Sequence, residues 1–501
     1  MTYIPREEVQ KTAFGELQVE QKTPQVQVKF PYDLVHPDIA QKLTNGTGSS
    51  VTVTNSVADV VCEGAANKFS QIRSLDTLRY GPGQGAEFLG TCAFTTGVAN
   101  SSQVFGPGDD DEGFFFGYNG VDFGILRKYG GSVEMKSLTI TAGATNAGTI
   151  TVTIDDTAVP IEVEAGDSIQ EVVRKIVAEE QTATGFYNAG RGWETHTDDD
   201  NSVEFISFVA ENATGTFSFT DTDSTGVTSS GFTTRVTGAV PTETWVLQDN
   251  FNLDKVDGTG SSGLTLDPTK INVYGIQFQY LGGGDIEFLI ENPVTGLMIA
   301  VHRIQYPNQA TTASLLNPTL HLTLLVKTET GYSGGDLTMK TSSLAGFIQG
   351  IETSKGIRRS FSVEKEISTT ESVVLILHNE LDFNGKQNKV SVYPDFTSFA
   401  TESSKPTTLR MYYNPDSVTG GAALTDVEAN VSVMKYGTTG TSITGGQRLL
   451  TFVLPGNGGG ARNLTDLEIQ LRPGDRIVLT GVLASGANAN VDVSYTWVER
   501  I

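Results

Sequence analysis

Short runs in which apolar and polar residues alternate fill most of this chain. VQVKF from Val26, SVTVTNSVADVV, EFLGTCAFTT, GFFFGYNG and DFGILRKYGG follow one another between Gly, Asn, Asp and Pro. A period of two with such punctuation predicts strands joined by tight turns. INVYGIQFQYL alternates cleanly, and Gly282 to Asp285 join it to IEFLIEN, which predicts a hairpin. One segment changes period. AGDSIQEVVRKIVAEE places Ile169, Val172, Val173, Ile176 and Val177 at i, i+3, i+4, i+7 and i+8, behind Ser168 as N-cap and Glu171 three residues on. That spacing predicts a capped helix within 167–181.

The runs group into four stretches. Residues 1–24 are polar, hold no sustained period and read as an extended N-terminal arm that orders only against another subunit. Residues 25–131 and 241–352 share one style and read as a single jelly-roll-like β-sandwich. Between them, 132–240 carries the helix and reads as an inserted α+β domain, removable without unfolding its host because insertions at loop tips cost little closure entropy. Seven or eight further strands in 353–501 read as a C-terminal β-sandwich. The fold class is therefore mainly β: two antiparallel β-sandwich or jelly-roll domains with a small α+β domain inserted into the first.

Charge narrows the partners. The chain has 501 residues, with 34 Lys+Arg against 58 Asp+Glu, a formal charge of −24. Such a surface repels phosphate backbones and anionic headgroups, so neither nucleic acid nor membrane is an expected partner. No apolar run is long enough to span a bilayer as a helix. Cys62 and Cys92 are the only cysteines, and the sequence leaves open whether they pair.

Candidate chemistry is sparse. Asp109, Asp110, Asp111 and Glu112 are four adjacent carboxylates. They read either as a solvated acidic loop or as oxygen ligands for a hard cation such as calcium, although their spacing is not that of an EF-hand. Asp221, Asp223 and Gly226 in DTDSTG, and Asp198, Asp199 and Asp200, read as turns. His36, His196, His302, His321 and His378 are scattered without zinc spacing, and those at 302 and 321 read as structural. GPGQG at 81–85 and GNGGG at 456–460 lack the rest of a phosphate loop. Trp193 and Trp245 read as core aromatics. With no nucleophile elbow either, the expectation is a protein that is not an enzyme and needs no cofactor beyond that calcium.

One resemblance adds to this reading. The run from Val98 to Gly131, VANSSQVFGPGDDDEGFFFGYNGVDFGILRKYGG, with Leu78–Gly97 before it and Leu266–Tyr306 after it, resembles large structural proteins of tailed phages and large DNA viruses. The inserted stretch is similar to small α+β modules of phage tail and fibre proteins. FGYNGVDFGILRKYGG and IEFLIENPVTGLMIAVHRI look like neighbouring strands of concanavalin-like or laminin-G-like jelly rolls, folds that often bind glycans. The resemblance implies a virion structural protein at a capsid vertex, decoration, tail or fibre position, located in the virion. Its implied partners are itself, as a homo-oligomer in the form of a trimer or a ring, other virion proteins and host glycans. The alternative is a carbohydrate-active enzyme or glycan-binding surface module.

Overall fold

The computed structural model describes residues 22–81, 83–197, 200–279, 281–350, 356–421 and 424–500. The expected arm falls almost wholly in 1–21, outside the described residues. Its last three residues do not behave as an arm, because a strand already begins at Lys22. Lys22–Lys29 pairs antiparallel with Ser343–Gln349, and Lys22 reaches Glu87 at 2.6 Å. Backbone pairing needs no apolar side chains, which is why the polar start of this strand gave no signal.

The protein is mainly β, with antiparallel sheets throughout. In the first sandwich, six strands run in the order Lys22–Lys29, Ser343–Gln349, Ala86–Cys92, Asn272–Phe278, Ile286–Glu291, Met298–Ile304. Seven others face them, with Gly113–Asn119 and Ser101–Pro107 near the middle and Ala40–Asn45 at one edge. Aromatic side chains fill the space between the sheets: Phe116 lies 4.9 Å from Tyr274 and 5.2 Å from Phe288, centroid to centroid. Cys62 and Cys92 are buried here as free thiols.

The seven-stranded sheet is covered on both faces, and this explains the triple phenylalanine of GFFFGYNG. Phe114 and Phe116 point into the sandwich core. Phe115 points the other way, with Leu43, Phe69, Val104, Leu126 and Leu325, against Tyr187 and Phe208 of residues 132–240. A strand buried on both sides reads as a continuous apolar run.

Residues 132–240 leave and rejoin the sandwich through a narrow neck, where Ser132 and Ala239 exchange two backbone hydrogen bonds of 2.9 Å. Four strands form one sheet and three another. The helix is Ile169–Ala178, with Ser168 Oγ accepting from Glu171 N at 3.3 Å and Glu171 Oε2 accepting from Ser168 N at 2.8 Å. Its Val172, Val173 and Ile176 enter the unit's core. The unit is no loop-tip appendage, however. One side seals the seven-stranded sheet and the other meets the C-terminal sandwich: Arg235 pairs with Glu380 at 2.7 Å, and Asp200 with Arg476 at 3.0 Å. Leu381 completes a cluster with Met135, Ile206 and Val236. These contacts tell against free removal of the unit, because excision would bare both docking faces.

The C-terminal sandwich pairs a four-stranded sheet, in the order Ile357–Ile367, Ala489–Arg500, Ser391–Thr401, Gly459–Asn463, with a six-stranded one that ends at Gln447–Leu454.

Candidate binding groove

The site is prepared by alternation in Ala489–Arg500. Val491, Val493, Tyr495, Trp497 and Glu499 turn inward and are buried, Glu499 accepting from Trp497 Nε1 at 3.0 Å and Arg359 Nε at 3.1 Å. The period of two therefore turns Asp492, Ser494, Thr496, Val498 and Arg500 outward. Register carries this face onto both neighbours. Ser494 stands opposite Ser362 and Ser398, Thr496 opposite Ser360 and Phe396, Val498 opposite Arg358 and Tyr393. A bulge between Pro394 and Phe396 interrupts the last pairing. Phe396, just past the bulge, is 42% exposed.

At one end this face meets the first sandwich and leaves a groove of about 1040 Å³. Arg358, Tyr393, Asp395 and Arg500 line it from below, and Gln25, Asp76, Arg79 and Gln84 from across. The Arg500 guanidinium lies 4.0 Å from the Tyr393 ring centroid. Arg358 pairs with Asp395 at 3.0 Å, and Arg472 ties the two bodies together through Asp76 at 2.9 Å. Three arginines (79, 358, 500) and three acids (Asp76, Asp395, Glu468) balance in formal charge. At the other end of the same face a shallower concavity of about 310 Å³ is lined by Ser362, Glu364, Ser398, Asp492 and Ser494.

The four adjacent carboxylates lie elsewhere, and they are buried rather than solvated. Gly108 and Gly113 bracket them with φ of +149° and +148°, and a Cβ on Gly108 would meet the Gly113 Cα at 2.6 Å, so the turn admits no side chain at its base. Each carboxylate then takes a different protein partner. Asp109 accepts from Arg73 at 2.8 Å. Asp110 accepts from Lys128 at 2.5 Å, Lys327 at 3.1 Å and, in the inserted unit, Ala210 N at 3.0 Å. Asp111 pairs with Lys389 of the C-terminal sandwich at 2.8 Å. Glu112 accepts from Leu316 N and from Asn317 N. Burial pushes Asp110 up, but Lys128 and Lys327 outweigh it and hold the carboxyl well below the usual range. Lysine, arginine and backbone amides thus satisfy the carboxylates that the sequence offered either as a solvated loop or as calcium ligands, and among the described residues no group of three or more His, Cys, Asp or Glu side chains is placed to hold a metal. The run acts as a staple between three bodies.

Beside it lies a second charged cluster. Glu194 accepts from His196 Nε2 at 2.9 Å, Gln41 Nε2 at 2.5 Å and Arg73 at 3.2 Å. Against the pull of burial, His196 and Arg73 bring its carboxyl down to about 2. Glu180 accepts from Thr195 N at 2.8 Å and is pushed up to about 7 by burial and by the Glu194 charge. Two carboxyls with values driven apart can serve as acid and base, yet neither lines the groove or the shallower concavity.

The remaining sequence candidates have structural placements. Asp221 caps its own turn, accepting from Thr225 N at 2.8 Å and Gly226 N at 2.9 Å. Asp198 and Asp199 lie outside the described residues. His302 Nδ1 accepts from Asn252 N at 3.2 Å, and His321 Nδ1 donates to the Ser74 carbonyl at 2.7 Å. Trp193 is fully buried, edge-on to Phe217, and Trp245 packs partly buried beside Phe115 and Leu126. Sequence reasoning missed the groove: Tyr393 and Phe396 sit in an ordinary-looking alternating strand, and only their register with Ala489–Arg500 brings them together.

No family model matches the sequence, and no curated protein matches it. Solved structures show distant likenesses. One, described under endo-acting O-glycanases that human gut microbiota express to initiate mucin breakdown, has 8% identity and a TM-score of 0.30, covering 65% of this chain and 99% of that one. The Bacillus licheniformis β-glucanase has 9% identity and a TM-score of 0.26 over 65% and 99%. The VIP36 exoplasmic/lumenal domain in its Ca²⁺/Man3GlcNAc-bound form has 9% and 0.24 over 67% and 93%.

Proposed function

We propose that this protein is a glycan-binding β-protein that recognises its ligand without turning it over. The observation that carries this reading is the groove between the two sandwiches. It offers arginine and glutamine donors, aspartate acceptors and the Tyr393 ring, with no net formal charge among its six charged side chains. A sugar presents hydroxyls that both donate and accept, together with a C–H face that packs on an aromatic ring, and it carries no charge to be matched. Recognition without hydrolysis is supported by the carboxylates. Hydrolysis calls for two carboxyl groups flanking the scissile bond, and of the three acids here Asp395 is tied to Arg358 and Asp76 to Arg472, which leaves Glu468 without a second carboxyl to work with.

Replacement of Tyr393 by alanine is the direct test. Titration of immobilised neutral oligosaccharides is expected to lose at least about tenfold in affinity, some 1.4 kcal/mol, with the thermal midpoint unchanged. Equal binding by wild type and variant would refute the assignment of the groove.

A second reading, a self-associating structural component of a viral particle, is favoured by one observation. Gln447–Leu454 and Gly459–Asn463 are edge strands of the two C-terminal sheets, and Val453 on the first is 68% exposed. Open edges with apolar side chains invite pairing.

A further inference from the structure

The groove and the shallower concavity lie on one face of one sheet. Arg358, Ser360, Ser362 and Glu364 follow each other on the exposed side of Ile357–Ile367, and register places Val498, Thr496, Ser494 and Asp492 beside them. Tyr393, Phe396 and Ser398 continue the same rows on the third strand. The track from Arg358 to Glu364 covers six residue steps, roughly 20 Å at the rise of an extended strand. Midway, where the two concavities give out, Phe396 stands with its ring partly in solvent, between Thr496 and the exposed strand Gly459–Asn463.

We infer that the ligand is a linear, uncharged glycan that lies along this face, with one end in the groove, its middle across Phe396 and its other end over Ser362, Ser494 and Ser398. The inference rests on the glycan-binding reading and adds to it the form and charge of the ligand. Length follows from geometry. A single sugar would use the groove alone and would leave unexplained an exposed phenylalanine on an otherwise hydroxyl-rich face. Neutrality follows from charge: the far end carries Glu364 and Asp492 directly opposite each other, on a chain of net charge −24, and this repels sulfated, phosphorylated or uronic-acid chains. The three serines, facing each other across three strands, offer hydroxyl donors and acceptors at the spacing of neighbouring strands, about 4.8 Å.

The test is calorimetric titration of the full chain with glucose, mannose and N-acetylglucosamine oligosaccharides of increasing length, from disaccharide to hexasaccharide, with Phe396→Ala and Tyr393→Ala as variants. In at least one series the wild-type affinity is expected to rise about tenfold or more from disaccharide to hexasaccharide. Phe396→Ala should remove most of that gain and leave disaccharide binding unchanged, whereas Tyr393→Ala should weaken every length. Affinity independent of length, or a Phe396→Ala loss equal at all lengths, would overturn the extended track while leaving the groove intact. Preference for a sulfated chain over its neutral parent would overturn neutrality. Absence of binding to every series would instead sink the glycan reading itself. Phe396 is a surface residue, and matching thermal midpoints establish that the variant is folded.

Discussion

Glu180 is the side chain whose environment most directly predicts a pH effect. It follows the helix, faces the Glu194 carboxylate and His196, and is raised to about 7 from an ordinary 4.5 by burial first and by Glu194 second. The folded protein therefore takes up a proton that the unfolded chain does not hold between those values. A raised group stabilises fully below its unfolded value, and the contribution is lost as the pH climbs through about 7. His196, raised by Glu194, has the same sign, while His302 and His321, lowered by burial, have the opposite one. Comparison with Glu180→Gln cancels His302 and His321, whereas His196, which the Glu180 charge helps to raise, moves down with the variant. The variant is expected to match wild type at pH 4, below the ordinary carboxyl value, and to exceed it by about 1–3 kcal/mol at pH 8, measured as the difference in denaturant midpoints. An equal offset at both pH values would exclude proton uptake at Glu180.

At the scale of elements, what could be read from sequence was what is local. The helix was legible because its cap, its period and its end lie within a dozen residues, and the hairpin from Asn272–Phe278 to Ile286–Glu291 because one turn joins it. The acidic run was not legible: its partners Arg73, Lys327 and Lys389 lie 36, 217 and 278 residues away from the carboxylates they meet. The same distance hid the groove, whose walls come from two domains. The inserted unit was recognised from its change of period, but its two docking faces were not, because side chains such as Tyr187, Phe208 and Arg235 look alike in sequence whether they face their own core or a neighbour. Deletion of 132–240 with a short Gly/Ser joint between Gly131 and Pro241 is now expected to give an insoluble product. It would bare Leu43, Phe69, Val104, Phe115, Leu126 and Leu325 together and strip Asp110 of the Ala210 amide. A soluble deletion product with the native strand content would show that the unit is dispensable to its host.

For the whole molecule, the open edges of the C-terminal sandwich set the expectation of self-association. Sedimentation velocity in physiological salt should give a species larger than the 53.5 kDa chain, and more of it as salt screens the net charge. Val453→Glu should return it to monomer without lowering the thermal midpoint. A wild-type monomer at every salt concentration would remove the particle-component reading and leave glycan recognition standing.

The interrupted sandwich also dictates a timetable. Lys22–Lys29 completes its pairing only with Ser343–Gln349, and Ser101–Pro107 only with Leu322–Thr328. A ribosome must therefore deliver some 350 residues before the first domain can close, whereas 132–240 holds all the strands of its own sheets and can condense much earlier. The part that was encoded as an interruption is the part able to take shape first. It would then present Tyr187 and Phe208 as a ready surface on which the late-arriving strands of its host are collected.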